Sequence, residues 1–163
     1  MFALKQQFGL SEERPKYLPK VLLVDGSKDG VLKNLPLIFT EAGFDVSWAH
    51  TTQDAINSLV KYRHSLGYVI VQLDIPIVKN CFADIDNGAF VLKALQAILA
   101  MNEREGFDVD PMVIAVYERI DYLPNVPIDS MVNMLWRLPI QGSLDEFLKR
   151  FNLTGLETSQ GGN

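Results

Sequence analysis

Val21-Leu22-Leu23-Val24-Asp25-Gly26 is the stretch on which the fold turns. Four aliphatic residues in succession, closed by an acid and a glycine, read as a short strand apolar on both sides. A strand of that kind belongs in a parallel sheet covered on both faces. Directly downstream, Val31, Leu35, Ile38 and Ala42, with Leu32 and Phe39 beside them, recur at helical spacing until Gly43 stops the pattern. Pro36 lies inside that run, so the helix either starts late, near Asn34, or bends there.

The alternation then repeats outward along the chain. Phe44, Val46 and Trp48 alternate with polar residues as a modest second strand, and Ala55, Ile56, Leu59 and Val60 form a helix face after Thr51 or Thr52 as cap. Tyr68-Val69-Ile70-Val71 is a third buried strand, followed by a helix over residues 88–101 that is apolar on most sides. An acidic loop over 102–110 leads through Pro111 to a fourth strand over 112–116. A short helix over 129–133 and a short strand through Leu135 and Trp136 come next. Ser143 and Glu146 form a capping box for a last helix lined by Leu144, Phe147, Leu148 and Phe151. Residues 1–19 read as an N-terminal arm, 20–152 as the domain and 153–163 as a flexible tail. Five strand-helix alternations imply an α/β architecture: a doubly wound five-stranded parallel sheet with helices on both faces. Ligands of such sheets sit beyond the carboxyl ends of the strands, which directs attention to Asp25, Gln72, Val116 and the residues after Trp136.

Composition narrows the function. The 163 residues are 48% hydrophobic and 21% charged, the make-up of one globular domain rather than a disordered chain. Fifteen basic against twenty acidic residues leave a net charge of -5, which argues against a phosphate-tracking nucleic-acid surface. The single cysteine, Cys81, permits no internal disulfide and implies a reducing, cytoplasmic setting. The longest apolar stretch, 89–101, is interrupted by Lys93 and Gln96, and with no signal peptide recognisable no membrane span is expected.

With these residues in place, the chain resembles the receiver domain of two-component response regulators over about 20–151. The resemblance rests on Val-Leu-Leu-Val-Asp25-Gly26, the helix closing on Glu41-Ala42-Gly43-Phe44, Pro76, Asn87-Gly88, Pro111 before the fourth strand, and Leu138-Pro139, all in the family's order. It implies a flavodoxin-like sheet of strand order 2-1-3-4-5 and a role in signal transduction. It also implies an output or self-association face on the last two helices and the strand between them, here Met131, Leu135, Trp136, Leu144, Phe147 and Phe151. The apolar helix containing Phe90 competes for that role, with burial under the N-terminal arm as its other reading.

The chemistry departs from the family. Receivers phosphorylate an aspartate while carboxylates hold Mg²⁺ against the incoming phosphoryl oxygens. Taking Pro76 as the proline four residues past the acceptor puts Gln72 at the acceptor position, and an amide cannot form an acyl phosphate. The acidic pair has become Asp25-Gly26. Val116 stands where the family has a hydroxyl, and Leu138 where it has a lysine before Pro139. A shifted third strand would instead offer Asp74 as phosphoacceptor. The resemblance and its departures together point to a degenerate, phosphorylation-independent pseudo-receiver: a non-enzymatic regulatory module that binds a protein partner or itself, without metal or cofactor. The alternatives are a phosphorylatable regulator using Asp74 in a phosphorelay, and a receiver-like assembly wing of a larger enzyme such as a basic amino-acid decarboxylase.

Residues 77–87 are an insertion relative to the family, read either as an elongated surface loop or as a lid or partner-binding element. Its Asp84-Ile85-Asp86-Asn87-Gly88 does not match an EF-hand, because the glycine is one position early and no glutamate follows at the required distance. His50 and His64 have no second ligand at a metal-binding offset, and Cys81 has no catalytic histidine in context. A flavin is disfavoured because Asp25 and Asp29 stand where a phosphate loop would present backbone N–H groups. Trp136 lies close to the family's switching aromatic, but Pro139 places that position at Leu135, and Trp136 reads as core rather than switch.

Overall fold

A computed structural model describes residues 19–27, 32–117 and 128–137. Five of its strands form one parallel sheet: β1 (Lys20–Val24), β2 (Asp45–Ala49), β3 (Leu66–Gln72), β6 (Met112–Tyr117) and β7 (Met134–Arg137), in the order β2-β1-β3-β6-β7. The remaining two, β4 (Ile75–Pro76) and β5 (Ala83–Asp84), form a separate antiparallel hairpin. Taken as the five strands of the sheet alone, the order is the expected 2-1-3-4-5.

The runs that looked apolar on both sides are so because alternate residues serve opposite faces. Leu22, Val24, Val69, Val71, Val113 and Ala115 join one core layer; Val21, Leu23, Tyr68, Ile70, Ile114 and Val116 join the other. α1 (Leu35–Glu41) covers the second layer through Leu35 and Phe39, with Pro36 in its first turn, where a missing N–H costs nothing. The late start thus replaces the bend. Phe44 belongs to no strand; its ring packs with those of Phe39 and Tyr68 at centroid distances of 5.6 and 5.4 Å.

α2 (Thr52–Lys61) and α3 (Ile85–Arg104) cover the other layer. Thr51 is the cap of α2, its Oγ1 accepting the Asp54 N–H at 3.0 Å. α3 is longer than the sequence pattern suggests at both ends. It begins at Ile85 because Asp84 caps it by accepting the Asp86 N–H at 2.8 Å. It runs past Met101 because Asn102 is buried and donates from Nδ2 to the Arg63 carbonyl at 2.8 Å, locking this helix to the end of α2. The expected loop over 102–110 therefore starts only after Arg104.

Residues 129–131 form a turn, not the expected helix, closed by the Met131 N–H on the Ile128 carbonyl at 2.8 Å. Asn133 then ties this turn to β6, its Oδ1 accepting the Val113 N–H at 2.7 Å. The predicted last helix with Leu144, Phe147 and Phe151, the tail, and the arm up to residue 18 lie outside the described residues. No helix among the described residues is long and apolar enough to cross a membrane.

Candidate functional site

The carboxyl ends of β1, β3, β6 and β7 line up as one row. Register pairs Val24 with Val71, Gln72 with Val116, and Val116 with Trp136, so Asp25 follows β1 beside Gln72 at the end of β3. Side-chain alternation puts Val116 and Trp136 on the α1 side of the sheet, the same side as Leu23 and Ile70 two residues before Asp25 and Gln72.

Asp25 is 4% exposed. Its carboxylate accepts the Ser27 N–H at 3.2 Å and the Leu32 N–H at 3.3 Å, so the strand-to-helix loop is closed on this one side chain. Its carbonyl takes a 2.7 Å hydrogen bond from Nδ1 of His50, which requires a proton on that nitrogen and accounts for His50 as a structural tie. Burial pushes the Asp25 carboxyl above its ordinary value; the two N–H donors and His50 pull the other way and do not cancel it. A folded-state pKa above the unfolded value means that Asp25 supports folding fully below about pH 3.8 and less as pH rises through the folded value. Wild type is therefore expected to gain stability over Asp25→Asn as pH is lowered from neutrality towards 4, measured by urea unfolding across that range.

Gln72 is 6% exposed, and its Oε1 is buried without a hydrogen-bond partner. Asp74 is exposed, beyond the strand end, and it is Leu73 that next binds the sheet, donating to the Val116 carbonyl at 2.9 Å. Gln72, not Asp74, thus occupies the strand-end position beside Asp25. Gly26 leaves little room for the missing second acid: a β-carbon there would stand 3.2 Å from Pro76 Cδ and 3.6 Å from the Asp74 carbonyl oxygen. Among the described residues no three His, Cys, Asp or Glu side chains converge. One buried carboxylate already engaged by two amides, an amide and a glycine are not a donor set that fits Mg²⁺. Lys28, Asp29, Glu118 and Leu138 lie outside the described residues.

Val116 is fully buried at the end of β6. Trp136 is also fully buried, so its side chain belongs to the core and not to an exposed interaction face. Met131 and Leu135 are half-buried and pack on the α2–α3 layer. His64 is stacked on Phe107 at 3.8 Å between centroids, at the far end of the sheet from Asp25, and Cys81 is exposed in the hairpin.

The insertion is built rather than loose, which sequence reasoning missed. Ile75 pairs with Asp84 and Pro76 with Ala83; the turn between them brings the Cys81 N–H to the Val78 carbonyl at 3.2 Å, with Asn80 at a φ of 70°. Asparagine tolerates that left-handed conformation better than most residues. Asn87 Nδ2 holds the Ile75 carbonyl at 2.8 Å, Thr52 Oγ1 donates towards the Asn87 carbonyl at 3.3 Å, and the Gln53 N–H donates to the Ile77 carbonyl at 3.1 Å. Strands of two residues are too short to show a period; the usable signal was Asn80 in a turn setting and Asn87-Gly88 opening a helix.

Comparison with solved structures agrees with this architecture. The chain is similar to a response regulator receiver domain protein from Clostridium thermocellum, at 16% identity and a TM-score of 0.56, covering 88% of this chain and 98% of that one. It is similar also to the non-phosphorylated HemR receiver domain from Leptospira biflexa, at 18% identity and a TM-score of 0.56, covering 82% and 91%. The CheX-CheY-BeF3-Mg²⁺ complex from Borrelia burgdorferi matches at 18% identity and a TM-score of 0.53, covering 82% and 86%. No family model matches the sequence, and no curated protein matches it. The fold is that of CheY-like response regulator receiver domains.

Proposed function

We propose that this chain is a phosphorylation-independent pseudo-receiver: a non-catalytic, cytoplasmic regulatory domain that acts by binding protein. The observation that carries the reading is the buried amide of Gln72 at the end of the central strand, beside Asp25, while Asp74 is an exposed residue beyond the strand. Acyl phosphate formation needs an oxygen nucleophile there and a counter-charge for the phosphoryl group; among the described residues, the end of β3 presents the Gln72 amide and Leu73, which offer neither. The receiver fold supports a place in signal transduction, and a similar fold is seen bound to a protein, CheX, in one of the structures above.

Incubation of the full chain with acetyl phosphate and Mg²⁺ is expected to leave its intact mass unchanged. A gain of one phosphoryl group, lost in Asp74→Ala, would establish the phosphorylatable alternative instead.

A further inference from the structure

The hairpin carries apolar surface that no core needs. Phe82 is 97% exposed, Ile77 55% and Val78 38%, and Phe90, in the second turn of α3, is 55% exposed. An isolated exposed aromatic is ordinary, but three large apolar side chains exposed within one anchored hairpin, Ile77, Val78 and Phe82, are not. The hydrogen bonds from Asn87, Thr52 and Gln53 hold the hairpin in place without any partner, so a partner would meet a surface already formed.

Charge selects the occupant. Asp74 precedes β4, Asp84 stands opposite Ile75, Asp86 lies in the first turn of α3, and Asp54 follows Gln53, whose amide binds Ile77. Lys79, in the turn, is the one cation of the hairpin itself. An isologous dimer through this face would set the carboxylates of one copy against those of the other, and an anionic lipid or nucleic acid would be repelled likewise. We propose that the hairpin is a docking surface for a basic amphipathic segment of a partner protein, whose apolar side chains cover Phe82, Ile77 and Val78 while its Lys and Arg meet the surrounding aspartates. This rests on the reading of the chain as a protein-binding module and names the surface and the partner's chemistry.

The test is a titration of the full ¹⁵N-labelled chain with a short synthetic amphipathic peptide carrying Leu and Trp on one face and Lys on the other. A second peptide with Glu for Lys serves as comparison. Saturable shifts at the amides of residues 77–84 are expected with the Lys peptide and not with the Glu peptide. Affinity should fall by about tenfold in Phe82→Ser, and likewise in Ile77→Ser, because each truncates a central apolar contact. Phe82 touches too little of the fold for its loss to unfold the chain. Absence of saturation, equal binding of the Glu peptide, or unchanged affinity in Phe82→Ser overturns the proposal. So does a dimer in sedimentation equilibrium that Phe82→Ser dissolves, which would make a second copy the occupant. Phosphoryl transfer is read separately by intact mass, so a phosphorylated chain that still binds the peptide sinks the pseudo-receiver reading alone.

Discussion

Gly88→Ala should destabilise the domain by about 2 kcal/mol or more, a large fraction of the stability of a single domain. A β-carbon at Gly88 would lie 2.4 Å from both Cα and the carbonyl oxygen of Leu73. These are backbone atoms and have no rotamer to escape into. Leu73 itself is held on one side by its 2.9 Å bond to the Val116 carbonyl and on the other by the Gly88 N–H, which donates to its carbonyl at 3.0 Å. Relief must therefore come from moving α3 as a body off the sheet, opening the layer that Leu92 and Leu95 fill. The opposing effect, alanine's better helix propensity, is worth only about 1 kcal/mol and loses. Gly106→Ala serves as the comparison. Nothing lies within 4 Å of its added carbon and only the φ of +84° is strained, so about 1 kcal/mol is expected there. Denaturant unfolding of the two variants measures both. Equal losses would mean that α3 does not depend on close approach at Gly88.

The same contact shows which parts of this fold were legible in the sequence. Long apolar runs such as 21–24 and 68–71 gave their strands away because two buried faces leave no polar position, and a sheet that needs crossover helices follows from their alternation. Gly88 was legible as a marker of the family's pattern but not as the reason α3 can lie against Leu73, since a close approach is a property of two segments at once. The boundaries of α3 were misjudged for a related reason. Asp84 and Asn102 extend it through capping and a bond to Arg63, neither of which produces a hydrophobic period. At the strand ends, the identity of Gln72 as the residue beside Asp25 depended on counting back from Pro76, and the register of β3 with β1 and β6 agrees with that count. What no spacing could supply was the unpartnered state of its Oε1, or that Pro76 stands close to Gly26 from the hairpin side.

Trp136→Ala is expected to cost about 3–5 kcal/mol, the range for removing a large aromatic from a closed core, whereas Trp136→Phe should keep most of that stability. The side chain has no exposed area, and its backbone neighbour in the sheet, Val116, is buried too. The sequence resemblance to receiver domains puts the family's switching aromatic at Leu135, next to Trp136. Val116 has no side-chain donor, and Val116 and Trp136, paired across β6 and β7, pack in the same core layer. A switch of that kind requires two arrangements close in free energy. Exposing an indole of this size removes most of its hydrophobic stabilisation, about 25 cal/mol per Å² of apolar area, with no new bond at Val116 to offset it. Acrylamide quenching separates the possibilities. In a Trp48→Phe background, which leaves Trp136 as the chain's remaining indole, emission should be poorly quenched and should stay so when acetyl phosphate and Mg²⁺ are added. Ready quenching in the untreated protein, or a rise on treatment, would show that Trp136 leaves the core and that the strand-end row still relays a signal.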